Sequence, residues 1–185
     1  RGAGAAAVIG RTIYFTGGMD ATRRIDEGTT WALNLDNLAA GWVRKADLPN
    51  PRNHVAGAAL NGYFYVIGGQ HGQERNQVSQ SEVDRYNPIS DTWTKVASLP
   101  SPRSHITQDT LVYEGRILVV GGETASGTPQ LTIYDYDPRT NAWSLLGNLP
   151  DQRSTSVCGI VGNMLLVSTG NSPGPTTTTW IGAMA

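Results

Sequence analysis

Four arginines recur about every 50 residues, at Arg1, Arg52, Arg103 and Arg153, and polar residues follow three of them. A guanidinium group presents paired N–H donors that suit a carboxylate or sulfate ligand. A residue that occurs once in every repeat more often holds neighbouring loops together. The pairs that follow the later arginines are Asn53-His54, Ser104-His105 and Ser154-Thr155. These positions could recognise a ligand through hydrogen bonds.

The other reactive side chains form no familiar catalytic signature. The three histidines, His54, His71 and His105, fall in separate segments and lack the spacing of metal ligands. There is no Gly-x-Ser-x-Gly nucleophile motif and no glycine-rich phosphate loop that opens a helix. Cys158 is the only cysteine, so no internal disulfide can form, and its small apolar neighbours indicate a small buried hydrophobe. We therefore predict no catalytic residue, no metal site and no cofactor.

Composition favours an all-β chain that is dense in turns. The 185 residues include 22 glycines and 10 prolines, and only 16% are charged. A net charge of −1 gives no general attraction to nucleic acid, and no apolar run has the length of a membrane span. We predict neither a nucleic-acid partner nor membrane insertion. Twelve arginines against two lysines favour, weakly, a secreted or extracellular location.

Two further features keep the same phase as the arginines. Sixteen to eighteen residues after each arginine stands a glycine pair or its remnant: Gly17-Gly18, Gly68-Gly69, Gly121-Gly122 and Thr169-Gly170. A tryptophan followed by Leu-Pro comes later in the first three repeats, at Trp42, Trp93 and Trp143. Glycine pairs allow close backbone approach and tryptophans offer large packing area, so we assign both features a structural role.

A period near 50 with a glycine pair and a late tryptophan resembles the kelch repeat, in which each repeat is one four-stranded blade of a β-propeller. The resemblance covers the whole chain. It implies an all-β, kelch-type β-propeller segment with about four blades: 1–51, 52–102, 103–152 and an incomplete blade, 153–185. Since the first and last repeats are cut at unequal phases, we expect a larger propeller whose remaining blades pack against this segment.

Alternation and turn residues predict four strands in each full repeat. In the second repeat they are Val55–Leu60, Tyr63–Ile67, Glu82–Tyr86 and Trp93–Val96. The first repeat is predicted to contain Gly2–Ile9, Thr12–Thr16, Trp31–Leu35 and Trp42–Arg44. The third is predicted to contain Ile106–Tyr113, Arg116–Val120, Leu131–Tyr136 and Trp143–Leu146, and Thr178–Ile181 matches a third strand in the last repeat.

Strand direction selects one face for recognition. The links between second and third strands are long and dissimilar, and all of them open on the same face: Met19–Thr29, Gln70–Ser81, Glu123–Gln130 and Asn171–Thr177. Variable loops on a rigid repeated scaffold commonly carry binding function. The start of each innermost strand reaches this same face, near the mouth of the central channel.

The kelch resemblance nominates particular residues there. In kelch propellers that bind peptides, the positions just after the repeat arginine and just after the glycine pair line the ligand pocket. The corresponding ligand-binding candidates are Asn53, His54, Gln70, His71, Ser104, His105, Glu123, Ser154, Thr155 and Asn171. His54 and His105 also fit a kelch pattern in which histidine packs or forms hydrogen bonds within the fold.

The predicted function is a binding module for protein or peptide, possibly carbohydrate. The long loops contain no aromatic platform for sugars, which favours a peptide. Two enzyme alternatives come from the resemblance: a sugar-acid epimerase, with Glu123, Asp20 or Asp26-Glu27 as the acid, and a copper-radical galactose oxidase using Cys158. The second needs a tyrosine that the matching positions do not supply. A third alternative is a rigid structural section of a larger secreted or surface protein.

Overall fold

The computed structural model describes residues 1–73, 76–124 and 127–184, and the chain is all-β, as predicted. Blade 1 consists of β1 (Ala5–Ile9), β2 (Thr12–Thr16), β3 (Thr30–Asn34) and β4 (Trp42–Lys45). Blade 2 consists of β5 (Ala56–Leu60), β6 (Tyr63–Ile67), β9 (Val83–Asn87) and β10 (Thr92–Lys95), with a short ribbon of β7 (Gln70–His71) and β8 (Val78–Ser79). A 3-10 turn at Leu38–Ala40 precedes β4.

The remaining strands complete the β-propeller arrangement of four packed sheets. Blade 3 consists of β11 (Thr110–Tyr113), β12 (Arg116–Val120), β13 (Gln130–Asp137) and β14 (Ala142–Arg153). Blade 4 consists of β15 (Val157–Val161), β16 (Met164–Ser168) and β17 (Thr179–Ala183). Within each blade the successive strands pair antiparallel, from an inner strand to an outer one. No helix among the described residues has the length and apolarity needed to cross a membrane.

The blades pack face to face through three apolar clusters. Tyr14 of blade 1 and Phe64 of blade 2 belong to the first cluster, and Tyr65 and Tyr136 join blades 2 and 3 in the second. The third cluster lies between blades 3 and 4. The inner strands of blades 1 and 2 are rich in small residues because they run close together: a Cβ added to Gly57 would lie 2.6 Å from the carbonyl oxygen of Ala6.

The repeat tryptophans connect one blade to the next. The indole Nε1 of Trp93 donates to the carbonyl oxygen of Ala46 at 2.8 Å, and Trp143 donates in the same way to Ala97 at 2.8 Å. The structural role predicted for these two residues is confirmed. Trp42, the corresponding residue of blade 1, is 48% exposed.

Three of the four repeat arginines are buried, and each of these is held by its own blade. Arg52, Arg103 and Arg153 are at most 2% exposed. The Nε atoms of Arg52 and Arg103 donate to the carbonyl oxygens of Gly68 and Gly121, at 2.8 and 3.0 Å. The charge is balanced for Arg52 by Asp84 at 2.8 Å, and the Arg153 guanidinium lies 4.0 Å from the centre of the Trp180 ring. Each buried arginine thus holds together segments of its own blade, a structural role that the once-per-repeat pattern predicts.

The glycine pair is where the next blade's arginine segment docks. The N–H of Gly69 donates to the carbonyl oxygen of Arg103 at 2.7 Å. A Cβ at Gly68 would lie 2.3 Å from that same oxygen, and Gly68 has a positive φ of 56°. The approach is repeated in the next blade, where a Cβ at Gly121 would lie 2.5 Å from the carbonyl oxygen of Arg153.

Most predicted strands are confirmed, but the inner strand of blade 3 is shorter than expected. It begins at Thr110 rather than Ile106, because Ile106–Asp109 form a turn in which the N–H of Asp109 donates to Ile106 O at 3.1 Å. β14 is longer than the predicted Trp143–Leu146 and continues to Arg153.

Candidate functional site

A short backbone ladder recurs at one end of each blade. We call the face formed by these four ends the mouth. The residue after each repeat arginine pairs with the residue after the glycine pair: Gly2 with Met19, Asn53 with Gln70, Ser104 with Glu123, and Ser154 with Asn171. Asn53 and Gln70 exchange both backbone hydrogen bonds, at 3.0 and 2.8 Å. Six of the ten candidate residues are thereby fixed by their backbones, in pairs.

The next residue in each blade adopts a left-handed conformation that turns the chain toward its neighbour. The positive φ values are 56° at Ala3, 48° at His54, 57° at His105 and 56° at Thr155. In blades 2 and 3 this turn stacks the two imidazole rings, whose centres lie 4.3 Å apart with an interplanar angle of 32°. The two candidate histidines therefore meet across the boundary between blades 2 and 3.

A polar network surrounds His105. Its Nδ1 lies 2.9 Å from Oε1 of Glu123, and the Nε2 of Gln77 donates to that same oxygen at 2.8 Å. Gln77 also donates to the Ser104 hydroxyl at 3.2 Å, and Ser79 and Ser104 hydroxyls lie 3.1 Å apart. Burial opposes ionisation of Glu123, but the hydrogen bonds from His105 and Gln77 outweigh burial and lower the pKa of Glu123.

A second network joins blades 1 and 2 around Asp26. The carboxylate of Asp26 accepts from the Asn53 amide and, at 3.3 Å, from the N–H of Gly72. Its other contact is Nδ1 of His71 at 3.3 Å.

The ring of His54 is neutral at neutral pH, because burial, and then the nearby His105, lower the pKa of His54 to about 4. Its Nδ1 lies against the side-chain oxygen of Asn53.

Sequence reasoning missed Asp26, Gln77 and Ser79 as members of these networks. All three lie in the long loops that the sequence assigned to this face, but no repeated position identifies them. Asp26 was considered only as a possible catalytic acid. Residues 74–75 and 125–126, inside two of the long loops, lie outside the described residues.

An open cavity of about 460 Å³ lies on the blade 1 side of His54. Small residues form part of its wall, and charged side chains stand at its rim. The lining residues are Arg1, Gly2, Ala3, Met19, Asp20, Ala21, Arg23, His54 and Gln73. Asp20 is held by Thr22 and by the backbone N–H groups of Arg24 and Ile25, which lower its pKa. Thus only His54 of the ten candidates lines this cavity.

The blade 4 candidates stand apart from both networks. The N–H of Thr155 donates to the carbonyl oxygen of His105 at 3.2 Å, but its side chain is exposed. Ser154 is 1% exposed, and its hydroxyl has no hydrogen-bond partner among the described residues. Gln70, a candidate in blade 2, is buried like Ser154, and its Nε2 donates to the carbonyl oxygen of Gly72 at 3.1 Å.

Cys158 is not the simple apolar side chain predicted from its neighbours. Its Sγ lies 3.3 Å from Oδ1 of Asp109, a fully buried carboxylate that also accepts from the Ser156 hydroxyl at 2.6 Å. Burial raises the pKa of Asp109 to about 6. Burial, and then Asp109, raise the pKa of the Cys158 thiol. Within residues 1–73, 76–124 and 127–184, no cluster of His, Cys, Asp and Glu is arranged to hold a metal ion.

Comparisons with known proteins agree with this architecture. Residues 1–170 match the family model of the KLHDC2/KLHL20/DRC7 Kelch-repeats domain. Kelch-like protein terF of Aspergillus terreus is 29% identical over 181 residues, which are 92% of this chain and 39% of that protein. Kelch-like protein 36 of Rattus norvegicus is 30% identical over 139 residues, which are 75% of this chain and 22% of that protein.

The fold also resembles a solved structure, described as "Structure of YjhT". The TM-score is 0.74 at 20% identity, and the match covers 91% of this chain and 56% of the other. At that level of identity the likeness concerns the fold. The chain spans less than two thirds of the length of each of these proteins.

Proposed function

This chain belongs to the kelch-repeat family, and we propose that it is a binding module whose protein or peptide ligand sits at the mouth of blades 1 to 3. The observation that carries the proposal is the meeting of His54, His105 and Glu123 across blade boundaries. Each is held by its own backbone ladder or left-handed turn, so the donors and acceptors are preorganised.

The chemistry of the mouth suits a peptide better than a sugar. The partly exposed imidazole and amide groups of His54, His105 and Gln77 can pair with the amides and polar side chains of an extended peptide. Asn53 and Glu123 are buried and position these groups. The aromatic face that would stack on a sugar ring is missing from the lining of the described cavity.

The repeat arginines do not support the sugar-acid epimerase alternative. Such an enzyme needs channel arginines that clamp a carboxylate. Arg52, Arg103 and Arg153 are instead buried and donate to atoms of their own blades, and Arg1 is paired with Glu27 of its own blade. The galactose-oxidase alternative needs Cys158 beside a tyrosine ring, and its thiol instead faces Asp109 and Ser156.

The test is a peptide selection with matched variants. A library of random dodecapeptides displayed on phage would be selected against the immobilised protein, and enriched peptides would be titrated by fluorescence anisotropy. We expect the double variant His54→Asn, His105→Asn to weaken their binding at least about tenfold, because it removes both rings from the mouth. Asparagine tolerates the left-handed backbone better than alanine does.

The control is Ile89→Ala, which changes a 97% exposed residue in a turn at the opposite end of blade 2. It should leave binding unchanged. A rigid structural section would yield no enriched peptide, or peptides that bind both variants equally well. Enrichment on a glycan array, with the same dependence on the histidines, would show that the ligand is carbohydrate.

We also propose that further blades cover the exposed sides of blades 1 and 4 in the intact protein. The kelch relatives are longer than this chain, and apolar residues such as Trp42, Val157 and Ile181 are 48 to 62% exposed on these outer blades. The equivalent of Trp42 in blade 2, Trp93, is packed against the preceding blade.

A further inference from the structure

Blade 3 carries two residues that the other blades lack, at the start of its inner strand. The first residue of the glycine pair, or its remnant, comes sixteen positions after the arginine in repeats one, two and four, and eighteen positions after Arg103. From Thr110 onward the inner strand of blade 3 pairs with its second strand in the same register as in blade 2: Thr110 pairs with Val119, and Gly57 pairs with Val66. Ile106 is fully buried like Val55. The extra residues therefore lie between Ile106 and Asp109, and we call Thr107–Gln108 the insertion.

The insertion bridges the blades on both sides of blade 3. The Thr107 hydroxyl donates to the carbonyl oxygen of Val55 in blade 2 at 3.0 Å. The carbonyl oxygen of Gln108 accepts from the N–H of Cys158 in blade 4 at 3.1 Å. The next residue, Asp109, accepts from the hydroxyl and the N–H of Ser156 at 2.6 and 3.2 Å. The insertion is thus fastened to the inner segments of blades 2 and 4, while both of its own side chains are exposed.

The side of the mouth formed by blades 1 and 2 contains a cavity instead of an insertion. The cavity of about 460 Å³ lies between blades 1 and 2, where Gly2, Ala3 and Ala21 leave space beside His54. The inner strands of these two blades are rich in alanine and glycine. The four-blade arc is therefore asymmetric, with small residues on one side of His54 and the two extra polar residues on the other.

We propose that the insertion is a plug that closes the blade 4 side of the mouth and confines the ligand to the part formed by blades 1 to 3, which includes the cavity beside His54. The inference rests on the proposed function and deepens it, because it excludes the ligand of that same face from blade 4. Gln108 and Thr107 then determine specificity by limiting the size of what reaches blade 4. Ser154, Thr155 and Asn171, which were nominated from the sequence, belong to blade 4 and in this proposal do not contact the ligand.

The chain contains its own reporter of this plug. Cys158 is the only cysteine, and it lies directly behind Gln108 and Asp109. The test compares the rates at which a small reagent, iodoacetamide, and a bulky one, fluorescein-5-maleimide, modify this thiol. The ratio of the two rate constants reports steric access, because both reagents attack the same thiolate and the acidity of the thiol cancels.

Three variants distinguish a plug from an incidental turn. Deletion of Thr107 and Gln108 should raise the ratio of the rate constants, bulky over small reagent, about fivefold or more, because it opens space beside Cys158. Gln108→Trp should lower this ratio about threefold, because a larger side chain fills that space. Asp109→Asn is the control, since it changes the surroundings of the thiol and leaves the insertion in place; its ratio should equal that of the unmodified sequence.

An unchanged ratio in Gln108→Trp would overturn the proposal, as would a ratio that Asp109→Asn raises as much as the deletion does. Gln108→Trp alters an exposed side chain, so this arm decides the question even when the deletion variant does not fold. The experiment uses no ligand. A failure of peptide selection would contradict the proposed function without touching the plug, and an unchanged ratio would do the reverse.

Discussion

At the level of single residues, the charge state of a buried side chain depends on the hydrogen-bond partners and counter-charges around it. Arg52 is fully buried, and its charged group is stabilised because Asp84 and four backbone carbonyl oxygens satisfy its donors. Asp109 is equally buried, but its hydrogen-bond donors among the described residues, Ser156 and Cys158, are neutral. A buried carboxylate without a cation is costly in its ionised form, which is why its pKa is raised.

We predict that Asp109 makes the chain less stable as the pH rises from about 4 to about 6. The folded pKa of about 6 exceeds the unfolded value of 3.8, so in this interval the folded state retains a proton that the unfolded state has lost. The free energy of unfolding should fall by roughly 2 to 3 kcal/mol across the interval through this group. Asp109→Asn should remove that fall. Urea denaturation at pH 4, 5, 6 and 7 measures the difference between the two proteins; parallel curves would contradict the prediction.

At the scale of elements, the contact between a glycine pair and the next blade's arginine segment connects the repeats. The N–H groups of Gly18, Gly69 and Gly122 donate to the carbonyl oxygens of Arg52, Arg103 and Arg153, at 2.9, 2.7 and 2.8 Å. The first glycine of each pair must lack a Cβ because the same carbonyl approaches it closely. For Arg52 and Arg103 the spacing reflects two contacts: the side chain donates to the first glycine of its own blade, and the backbone carbonyl accepts from the glycine pair of the preceding blade.

We predict that Gly68→Ala destabilises the chain far more than Gly62→Ala. Both glycines have positive φ, 56° and 79°, so alanine at either position costs about 1 kcal/mol of backbone strain. Only at Gly68 does the new Cβ meet a carbonyl oxygen at 2.3 Å; at Gly62 nothing lies within 4 Å. The loss should be roughly 3 kcal/mol or more at Gly68. Urea denaturation of both variants measures it, and equal losses would show that the blade contact contributes nothing.

At the scale of the whole molecule, the apolar sides of blades 1 and 4 are exposed to solvent, and we expect another protein surface to cover them. On blade 1 an open hollow of about 580 Å³ is lined by Arg1, Phe15, Trp31 and Trp42. Trp31 of blade 1 and Trp180 of blade 4 are only half-buried. Exposed patches of this kind promote association in water.

We predict that the chain of residues 1–185 self-associates at micromolar concentration. Trp42→Glu together with Val8→Glu should shift it toward monomer, since both side chains are about half exposed on blade 1 and a carboxylate there opposes apolar contact. Sedimentation velocity at several concentrations measures the distribution. Lys95→Glu, on the outer strand of blade 2, is the control and should leave it unchanged. A monodisperse monomer in the unmodified chain would refute the prediction.

The blade architecture follows from the sequence alone, because each repeat folds by local antiparallel pairing and the periodic residues are those that every blade boundary needs. Trp93, Trp143 and the repeat arginines have the structural roles that their spacing predicts. The two-residue insertion in blade 3 is also present in the sequence, as the longer interval after Arg103, but its turn and its bridges depend on neighbouring blades.

The composition of the mouth was decided only by the tertiary structure. Repetition predicts that His54, His105 and Glu123 reach one face, but the stacking of the rings and the contacts of Gln77 and Asp26 depend on loops that share no repeat pattern. Asp109 and Cys158 are 49 residues apart in the chain and meet because blades 3 and 4 pack together. Local sequence sets each blade, whereas contacts between blades depend on the packing of surfaces that are distant in sequence.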